Sequence, residues 1–592
     1  MQIDLTLLAQ NFANVEFFLA CIFPSEAVEL QGSSTDLLTV SSSCFWAVSS
    51  RAPSTNTGLV HKVGENLVVF RGYEVSSEIH SYSPPEDLSS IAADDLQNGV
   101  FSFLRFDTAS QSATIKCDAF GMSPLFYRKN NGSWYVASHP GLLYLDGDVP
   151  DLTSWASLMQ NGYVLGDRSF YHDIKRFAAG AEMQITAEHC DIRQWFDFAK
   201  LPAGQQAVDD DAVDVIETAF RASMERCMKL KVGEVTLPFS SGFDSRRFFA
   251  LLVKKNIGFK AVTCQSYNRK QGRDYDIDSV YAPKIAAAFG VDCEVVPASS
   301  PDQLTKDALK RQHLIGTETF MHSWAVPLMQ WLAGRPPSLI LDGLAGDVLG
   351  NSSFDIEGFD SRANDSTSAI VEKAVKEGTL SQLSARVNSA DSYRQKYREY
   401  VNKFLPNTNQ SQLAFLQGRT RRCIAPSITM MHPPGHVVVF PYCDLEFAFA
   451  ALSYDPEQKY KRYLQRECLQ RFYPEFYDFP SSRCLPADHP PVDESISEAR
   501  SQVEKKYIYG DSSVIRSAFK YVSFSNKVLL FASQFAPALR QRRAWLFGPL
   551  LMIVRTYKKA PVYIKHGPKS RQAPVAGTAD SEVVDVMDAE LA

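Results

Sequence analysis

Short apolar runs separated by turn residues fill the first 200 positions of the chain. The runs "NLVVFRGYEV", "GVFSFLRFD" and "SATIKCDAF" are rich in β-branched and aromatic residues, a composition that predicts strands. The triplet Asn130-Asn131-Gly132 separates two aromatic-rich runs and predicts a hairpin. The apolar stretch "VEFFLACIF" follows no basic segment and is too short to span a bilayer, so we interpret it as a buried strand. The pattern indicates a β-rich domain in which one sheet packs on another.

The period of the apolar residues changes after residue 209. Five apolar residues recur there at helical spacing and predict an amphipathic helix: Val213, Ile216, Phe220, Met224 and Cys227. The strand-like runs "EVTLPFSS", "KAVTCQ" and "CEVVP" follow, separated by helix-like segments that begin at Asp244 and at "DSVYAPKIAAAFG". Because strands that alternate with helices usually form a parallel sheet, we predict one here. Residues 300–500 have a mainly helical pattern, apart from a buried strand in "PSLILDGLAGD".

The length, charge and cysteine usage of the chain limit the number of domains and the classes of protein that it fits. A chain of 592 residues exceeds one ordinary core, so we expect two large domains and additional segments. The formal charge of -6 gives no general affinity for nucleic acid. The eleven cysteines are scattered singly, without a CxxC pair or a zinc-like Cys/His cluster. We therefore expect reduced thiols, no structural metal and a cytoplasmic location.

The segment "SSGFDS", residues 240–245, ends a predicted strand and enters a predicted helix. Small residues let the backbone approach a phosphate, and the free N–H groups of a helix start favour negative charge. No Lys follows the glycine as it does in a Walker loop. Asp244 would repel phosphate unless a divalent cation lay between them, which indicates Mg²⁺ with a pyrophosphate group. The structural alternative is a helix N-cap, where Ser and Asp are common.

A second carboxylate, Asp347, follows the buried strand in "LILDGLAGDVLGN". The carboxyl ends of parallel strands meet at one edge of a sheet. We therefore expect Asp244 and Asp347 to share a metal ion in the crevice at that edge. The structural alternative for Asp347 is a turn-capping role beside Gly346.

The order of these motifs resembles the asparagine-synthetase family, in which a pyrophosphatase-loop synthetase domain follows a glutaminase-type domain. "NGVFSFLRFD" and "CDAFGMSPLFYRKNNGSWYVAS" look like passages of the family's first domain, and "NGYVLGDRSFYHDIKRFAAGAEMQI" looks like its linker. The SxGxDS loop, the distant GxxxD turn, "FPYCDLEFAFAALSYDP" and "KRYLQRECLQRFYPEF" look like parts of its second domain. The resemblance covers most of residues 60–485. It implies a glutaminase-like β-sandwich (α+β) and then a parallel-sheet, adenine nucleotide α-hydrolase-like α/β domain with a helical C-terminal part.

The resemblance implies a two-step ligation that uses ATP and Mg²⁺. A carboxylate attacks the α-phosphate of ATP and releases pyrophosphate, and an amine then attacks the acyl-adenylate to give an amide and AMP. Asp244 and Asp347 would hold Mg²⁺, and Gly343 would line the nucleotide. Such catalysis consists mainly of positioning and charge neutralisation. The residues implied to cradle the pyrophosphate are Ser240, Ser241, Gly242, Asp244 and Ser245.

The sequence departs from the family's pattern at three places. Glutamine-using members begin with Met-Cys, whereas residue 2 here is Gln, so we predict a first domain without glutaminase activity. Cys21 would replace that nucleophile only if the residues before it were removed. The turn at residues 343–348 keeps Asp347 but has apolar residues at both of the family's Glu positions, which favours a different amine donor. Arg483 lies where relatives place an adenylate-stabilising Lys and is the third predicted catalytic residue.

These patterns divide the chain into four segments. We predict a glutaminase-like, inactive domain at 1–200, an asparagine-synthetase-like ATP-pyrophosphatase domain at 201–500, a basic extension at 501–570 and a disordered acidic tail at 571–592. The basic extension holds thirteen Lys or Arg residues against two acidic ones. Three interpretations remain open for it: a helix docked on the core, an anchor on a membrane surface, or a surface that attracts an acidic substrate. Membrane association is not favoured.

The leading hypothesis is an amide-forming ligase whose amine does not come from glutamine, as in lasso-type macrolactam formation by peptide cyclases. Its partners would be a carboxylate-bearing substrate such as a precursor peptide, and a maturation protease. The alternatives are an asparagine synthetase, a β-lactam-forming or other amidating enzyme that uses ammonia or an internal amine, a catalytically dead scaffold, and a tRNA-modifying enzyme. The two retained aspartates argue against the scaffold, and the lack of CxxC pairs argues against tRNA modification.

Overall fold

The computed structural model describes most of the chain. The described residues are 1–52, 59–76, 93–230, 232–270, 273–319, 322, 325–351, 400, 403–404, 407–462, 464–481, 486, 489–522, 524–533 and 537–565. The predicted catalytic residue Arg483 and the predicted tail at 571–592 lie outside these residues.

Two antiparallel six-stranded sheets, together the sandwich, form the amino-terminal part of the fold. The strands of this part are β1 (Gln2–Asp4), β2 (Phe18–Ile22), β3 (Glu29–Gln31), β4 (Leu37–Ser41), β5 (Phe45–Ser50), β6 (Val60–Val63), β7 (Asn66–Glu74), β8 (Gly99–Asp107), β9 (Ser112–Cys117), β10 (Phe126–Asn130), β11 (Ser133–Ala137), β12 (Lys175–Arg176), β13 (Ala181–Ile185) and β14 (Cys190–Gln194). The first sheet has the order β12-β10-β11-β2-β5-β4, and the second has the order β14-β13-β9-β8-β7-β6. Strands β1 and β3 belong to a separate small sheet.

Strand β2 shows why the apolar run near the start has no alternation. It lies between β11 and β5 and is buried along its whole length. Phe18, Ala20 and Ile22 belong to the core shared by the two sheets, whereas Leu19 and Cys21 belong to the main core behind the first sheet. The sequence of a strand with apolar layers on both faces is a continuous run of apolar residues. The predictions of a buried strand and of sheet packed on sheet are confirmed.

The hairpin predicted at Asn130-Asn131-Gly132 joins β10 to β11. Asn130 pairs with Ser133, so the turn has two central residues. Both of them, Asn131 and Gly132, have positive φ (49° and 83°), as a two-residue turn between twisted strands requires. The predicted hairpin is confirmed.

A five-stranded parallel sheet follows the sandwich. The described strands of this later part are β15 (Glu234–Pro238), β16 (Phe259–Cys264), β17 (Tyr267–Lys270), β18 (Arg273–Asp276), β19 (Cys293–Val296), β20 (Ser338–Leu341), β21 (Val437–Val439) and β22 (Ile564–Lys565). The parallel sheet has the order β19-β16-β15-β20-β21, so the predicted parallel sheet is confirmed. Its edge strand β21 is missing from the sequence prediction, because three valines are too few to show a period.

Helices cover the parallel sheet and make up most of the described residues after it. The helix predicted from Val213 to Cys227 is α3, and all five predicted apolar residues are buried in it. The helices are α1 (Leu5–Asn11), α2 (Leu152–Asn161), α3 (Asp210–Met228), α4 (Phe243–Lys254), α5 (Asp278–Ala288), α6 (Pro301–Leu314), α7 (Ala325–Ala333), α8 (Gly346–Asn351), α9 (Gln410–Phe415), α10 (Ala425–Thr429), α11 (Leu445–Leu452), α12 (Pro456–Arg462), α13 (Leu464–Phe472), α14 (Glu494–Tyr509), α15 (Ser512–Ala518), α16 (Phe524–Ala532) and α17 (Pro537–Lys558), with a π-helix (Leu416–Ile424) between α9 and α10.

The carboxyl-terminal helix α17 packs on the rest of the protein. Its apolar residues Phe547, Leu550, Leu551, Ile553 and Val554 are buried. The Tyr557 hydroxyl donates to the main-chain oxygen of Asp148 (2.7 Å), and β22 pairs with β1. Three interpretations were open for the basic extension, and for α17 the structure agrees with the first of them, a helix docked on the core. Among the described residues, no helix is long and apolar enough to cross a membrane.

Buried charges join the sandwich to the later part of the chain. Glu318 lies 2.7 Å from Arg176 of β12 and 2.9 Å from Arg422 of the π-helix, and all three side chains are fully buried. A second group beside a cavity of about 270 Å³ consists of Glu16, Arg71 and His432. Glu16 lies 3.2 Å from Arg71 and 2.9 Å from His432.

We expect the Glu16→Gln variant to lose about 1.5–3 kcal/mol of stability near neutral pH, the usual value of a charged hydrogen bond. Burial by itself raises the pKa of Glu16, but His432 and Arg71 outweigh it and lower that pKa. A lowered folded-state pKa stabilises the fold above the unfolded value of about 4.3, and this stabilisation is lost as pH falls through the lower folded value. Urea unfolding of the wild type and of Glu16→Gln between pH 7 and 3 should show that their difference in free energy of unfolding shrinks toward pH 3. A difference that stays constant over this range would contradict a charged Glu16 in the fold.

Candidate functional site

The strand order places a crevice beside β15. The chain runs from β15 to β16 and β19 on one side, and then to β20 and β21 on the other. The connections that leave β15 and β20 therefore diverge, which is where open parallel sheets bind ligands. Thr236 pairs with Ile340, so both strands end at the same edge. The loop after β15 and the turn after β20 are the two predicted site segments.

The loop after β15 is closed by its own hydroxyl groups. The Ser240 and Ser245 hydroxyls lie 2.9 Å apart, and the Ser240 N–H donates to Ser245 Oγ (3.1 Å). The Gly242 N–H donates to Ser240 Oγ (3.1 Å). Helix α4 begins at Phe243, one residue before the predicted start, and its N-cap is Gly242. Since neither Ser240 nor Asp244 occupies the N-cap position, the N-cap alternative does not describe this loop.

Two further contacts hold the loop and helix α4 in place. Asp278, at the start of α5, accepts hydrogen bonds from both the N–H and the hydroxyl of Ser241 (2.8 Å each). The Phe248 ring packs in a cluster with the Phe220 and Tyr442 rings, whose centroids lie 5.6 Å and 5.0 Å away from its own. Helix α4 thus presents its first turn at the carboxyl edge of the sheet from a fixed position.

The turn after β20 lies directly against Asp244. A Cβ added to Gly346 would lie 2.7 Å from Asp244 Oδ1 and 2.7 Å from the Tyr442 ring, and one added to Gly343 would lie 3.3 Å from the Asp244 Cβ. The Tyr442 hydroxyl donates to the Asp244 main-chain oxygen (3.2 Å). Asp347 follows Gly346 in the first turn of α8. The structure therefore brings Asp244, Gly343 and the turn that carries Asp347 together.

A buried polar network fixes this turn relative to α4. Glu217 Oε2 of α3 lies 2.7 Å from an Arg247 nitrogen, and another Arg247 nitrogen donates to Gln465 Oε1 (2.6 Å). Gln465 Nε2 in turn donates to the Gly346 main-chain oxygen (2.9 Å). Three helices therefore support the segment that carries Asp347.

The turn contains a carboxylate that the sequence analysis did not single out. Asp342 directly follows β20 and accepts a hydrogen bond from the Leu344 N–H (2.9 Å). Burial raises the pKa of Asp342 to about 6, against the opposing effect of that bond. The sequence feature that could have identified Asp342 is an Asp directly after a buried strand. Asp347 is thus one of two carboxylates in the segment.

The donor set fits a phosphate-bound magnesium ion better than a protein-only metal site. The described residues contain no group of three or more His, Cys, Asp or Glu side chains that could hold a metal. Mg²⁺ needs no such group, since it is commonly bound by one or two carboxylates together with substrate phosphates. Asp244 and Asp347 would supply the carboxylates, and the absence of side chains at Gly343 and Gly346 lets the turn approach Asp244 closely.

Comparison with known proteins bears on the sandwich. Residues 92–196 match a glutamine amidotransferase domain. This match agrees with the resemblance of the first domain to that of asparagine synthetases and supports an enzyme of the general amidotransferase and synthetase kind. A comparison with the curated proteins gives no match.

Two solved structures are also similar in part. One, the allosteric regulatory enzyme of purine biosynthesis, is 10% identical with a TM-score of 0.20, over 50% of this chain and 77% of that one. The other, the glutamine phosphoribosylpyrophosphate amidotransferase from B. subtilis complexed with ADP and GMP, is 11% identical with a TM-score of 0.20, over 62% and 85%.

The amidotransferase-like sandwich holds Cys21 in an unreactive setting. The residue lies in the middle of β2 and is fully buried. Burial raises the pKa of the Cys21 thiol to about 12, so almost no thiolate exists at neutral pH. Gln2 lies in β1, where its side chain donates to Glu29 (3.0 Å).

We therefore expect no release of glutamate from glutamine by the full chain. A coupled glutamate dehydrogenase assay checks this, with Cys21→Ser as the matched variant. Glutamate release that disappears in Cys21→Ser would contradict the prediction of an inactive glutaminase-type domain.

Proposed function

We propose that the chain is an ATP-dependent ligase that activates a carboxylate as an acyl-adenylate and joins it to an amine, releasing pyrophosphate and AMP. The observation that supports this function is the contact between Asp244 and the Gly343–Gly346 turn at the carboxyl edge of the sheet. A metal-bound pyrophosphate would suit this place. Two carboxylates and a loop of small residues meet there, where the connections that leave two parallel strands diverge.

Each residue has a defined task in this proposal. The loop at 240–245 would receive the β- and γ-phosphates at the start of α4, whose N–H groups face them. Asp244 and Asp347 would hold Mg²⁺. When bound, this ion would neutralise part of the charge on the departing pyrophosphate. The Ser240 and Ser245 hydroxyls would exchange part of their mutual hydrogen bonding for phosphate oxygens. Asp278 and Tyr442 would keep the loop from moving while these contacts form.

We propose further that the acyl substrate is a peptide that carries its own amine, so that the product is a macrolactam. The basic segment at 501–570 supports an acidic peptide, because positive potential raises the association rate of negatively charged ligands. The unreactive Cys21 supports an amine that does not derive from glutamine in this chain.

ATP–pyrophosphate exchange driven by a panel of carboxylates tests this function. The full chain is incubated with Mg-ATP, labelled pyrophosphate and, separately, aspartate, short acidic peptides and acidic peptides with a blocked N-terminus. We expect exchange with acidic peptides, and a product lighter by one water only when the N-terminus is free. Exchange that no carboxylate stimulates would contradict acyl-adenylate formation.

The amidotransferase match favours one second candidate, an amidation in which glutamine supplies the nitrogen. Mass spectrometry of the same reactions with amide-labelled glutamine separates the two. Label in the product would establish the glutamine-dependent route, and an unlabelled cyclic product would establish the route that we favour.

A further inference from the structure

Two neighbouring arginines in the first half of α4 are both fully buried but differ in their surroundings. Arg247 is neutralised by Glu217 at 2.7 Å. Arg246 has no carboxylate within ion-pairing distance among the described residues. Its acceptors are the main-chain oxygens of Ser241, Tyr477, Phe479 and Pro480, at 2.5–3.1 Å. A buried cation without a counter-ion is costly for a fold, so its presence beside the loop calls for a reason.

The position of Arg246 supplies that reason. It donates to the Ser241 carbonyl, and Ser241 belongs to the loop whose other residues would bind pyrophosphate. Main-chain oxygens accept hydrogen bonds from its two terminal nitrogens but do not cancel its net charge. An anion bound at the loop would offset that charge in a setting where water screens poorly.

We propose that Arg246 is a positioning residue of the pyrophosphate site. Its charge attracts the bound pyrophosphate from behind the loop, and its planar fork ties residues 477–480 to that loop. The inference rests on the proposed function and deepens it. Arg is suited to this task because its fixed fork serves several acceptors at once while it stays charged.

Titration calorimetry of the full chain with inorganic pyrophosphate and Mg²⁺ tests the proposal. We expect Arg246→Gln, which removes the charge and the fork, to weaken pyrophosphate binding at least tenfold, and Arg246→Lys, which keeps the charge but loses the fork, to weaken it by about threefold to tenfold. The matched control is Lys254→Gln. Lys254 lies at the far end of α4, roughly 12 Å along the helix, and pairs with Glu475 at the surface, so its removal should leave the affinity unchanged.

The outcomes separate this inference from the proposed function. Wild-type affinity in Arg246→Gln would overturn the role of Arg246 and leave the function standing. No binding of Mg-pyrophosphate or Mg-ATP by the wild-type chain would overturn both. If Arg246→Gln does not fold, Arg246→Lys decides: a loss of affinity of threefold or more in a folded Lys variant supports the role of Arg246, and affinity within threefold of wild type overturns it.

Discussion

Asp244→Asn and Asp347→Asn should each reduce ATP–pyrophosphate exchange by roughly a thousandfold or more, while the fold stays intact. Each substitution keeps the size of the side chain and removes one of the two carboxylates assigned to Mg²⁺. Asp244 lies against the turn that carries Asp347, so loss of either charge should weaken the same metal site. The reduction should be in kcat, because both carboxylates would hold the ion that offsets the charge developing on the departing pyrophosphate.

The control for this prediction is Asp214→Asn. Asp214 lies on the exposed side of α3 and pairs with Arg471 at the surface, away from the crevice. Circular dichroism and thermal melts of all three variants show whether the fold is kept. Exchange near the wild-type rate in Asp244→Asn or Asp347→Asn would remove that residue from the metal site.

Glu217→Gln should destabilise the fold by about 3–5 kcal/mol, the typical cost of breaking a buried ion pair at one partner. Glu217 is 3% exposed and Arg247 is fully buried, so the substitution leaves an uncompensated cation in the core. The Tyr473 hydroxyl also donates to Glu217 (2.5 Å), and this contact would weaken with it. Urea unfolding gives the free energy of unfolding for both proteins.

The same Asp214→Asn variant provides the stability control. Asp214 and Arg471 are also 2.7 Å apart, but they are 46% and 43% exposed. Exposed pairs of this kind contribute at most about 1 kcal/mol, so the control should unfold close to wild type. An equal loss of unfolding free energy in Glu217→Gln and Asp214→Asn would show that burial does not determine the strength of these ion pairs.

The local parts of the fold and of the site could be predicted from the sequence. The β-branched and aromatic residues of "GVFSFLRFD", the turn at Asn131-Gly132 and the helical spacing from Val213 to Cys227 are each patterns of neighbours in the chain. For the same reason the loop at 240–245 and the turn before Asp347 were found at the ends of β15 and β20. Small residues and a carboxylate after a buried strand are local signals.

The supporting contacts could not be predicted, because they join residues far apart in the chain. Asp278 reaches Ser241 from the next helix, and Arg246 reaches Tyr477 across more than two hundred positions. Nothing in the composition of α4 distinguishes Arg246 from Arg247, since only the three-dimensional position of Glu217 makes them different. The short strand β21 was missed because it is too brief to show a period.

The nucleotide products of the wild-type chain test the central claim most directly. The full chain is incubated with Mg-ATP, hydroxylamine as a trap for activated carboxylates, and the acidic peptides that stimulate exchange, with Asp244→Asn in parallel. The account predicts AMP and pyrophosphate in equal amounts together with a peptide hydroxamate, and none of the three with Asp244→Asn. ADP and phosphate as the products, or AMP at the same rate in the variant, would contradict it.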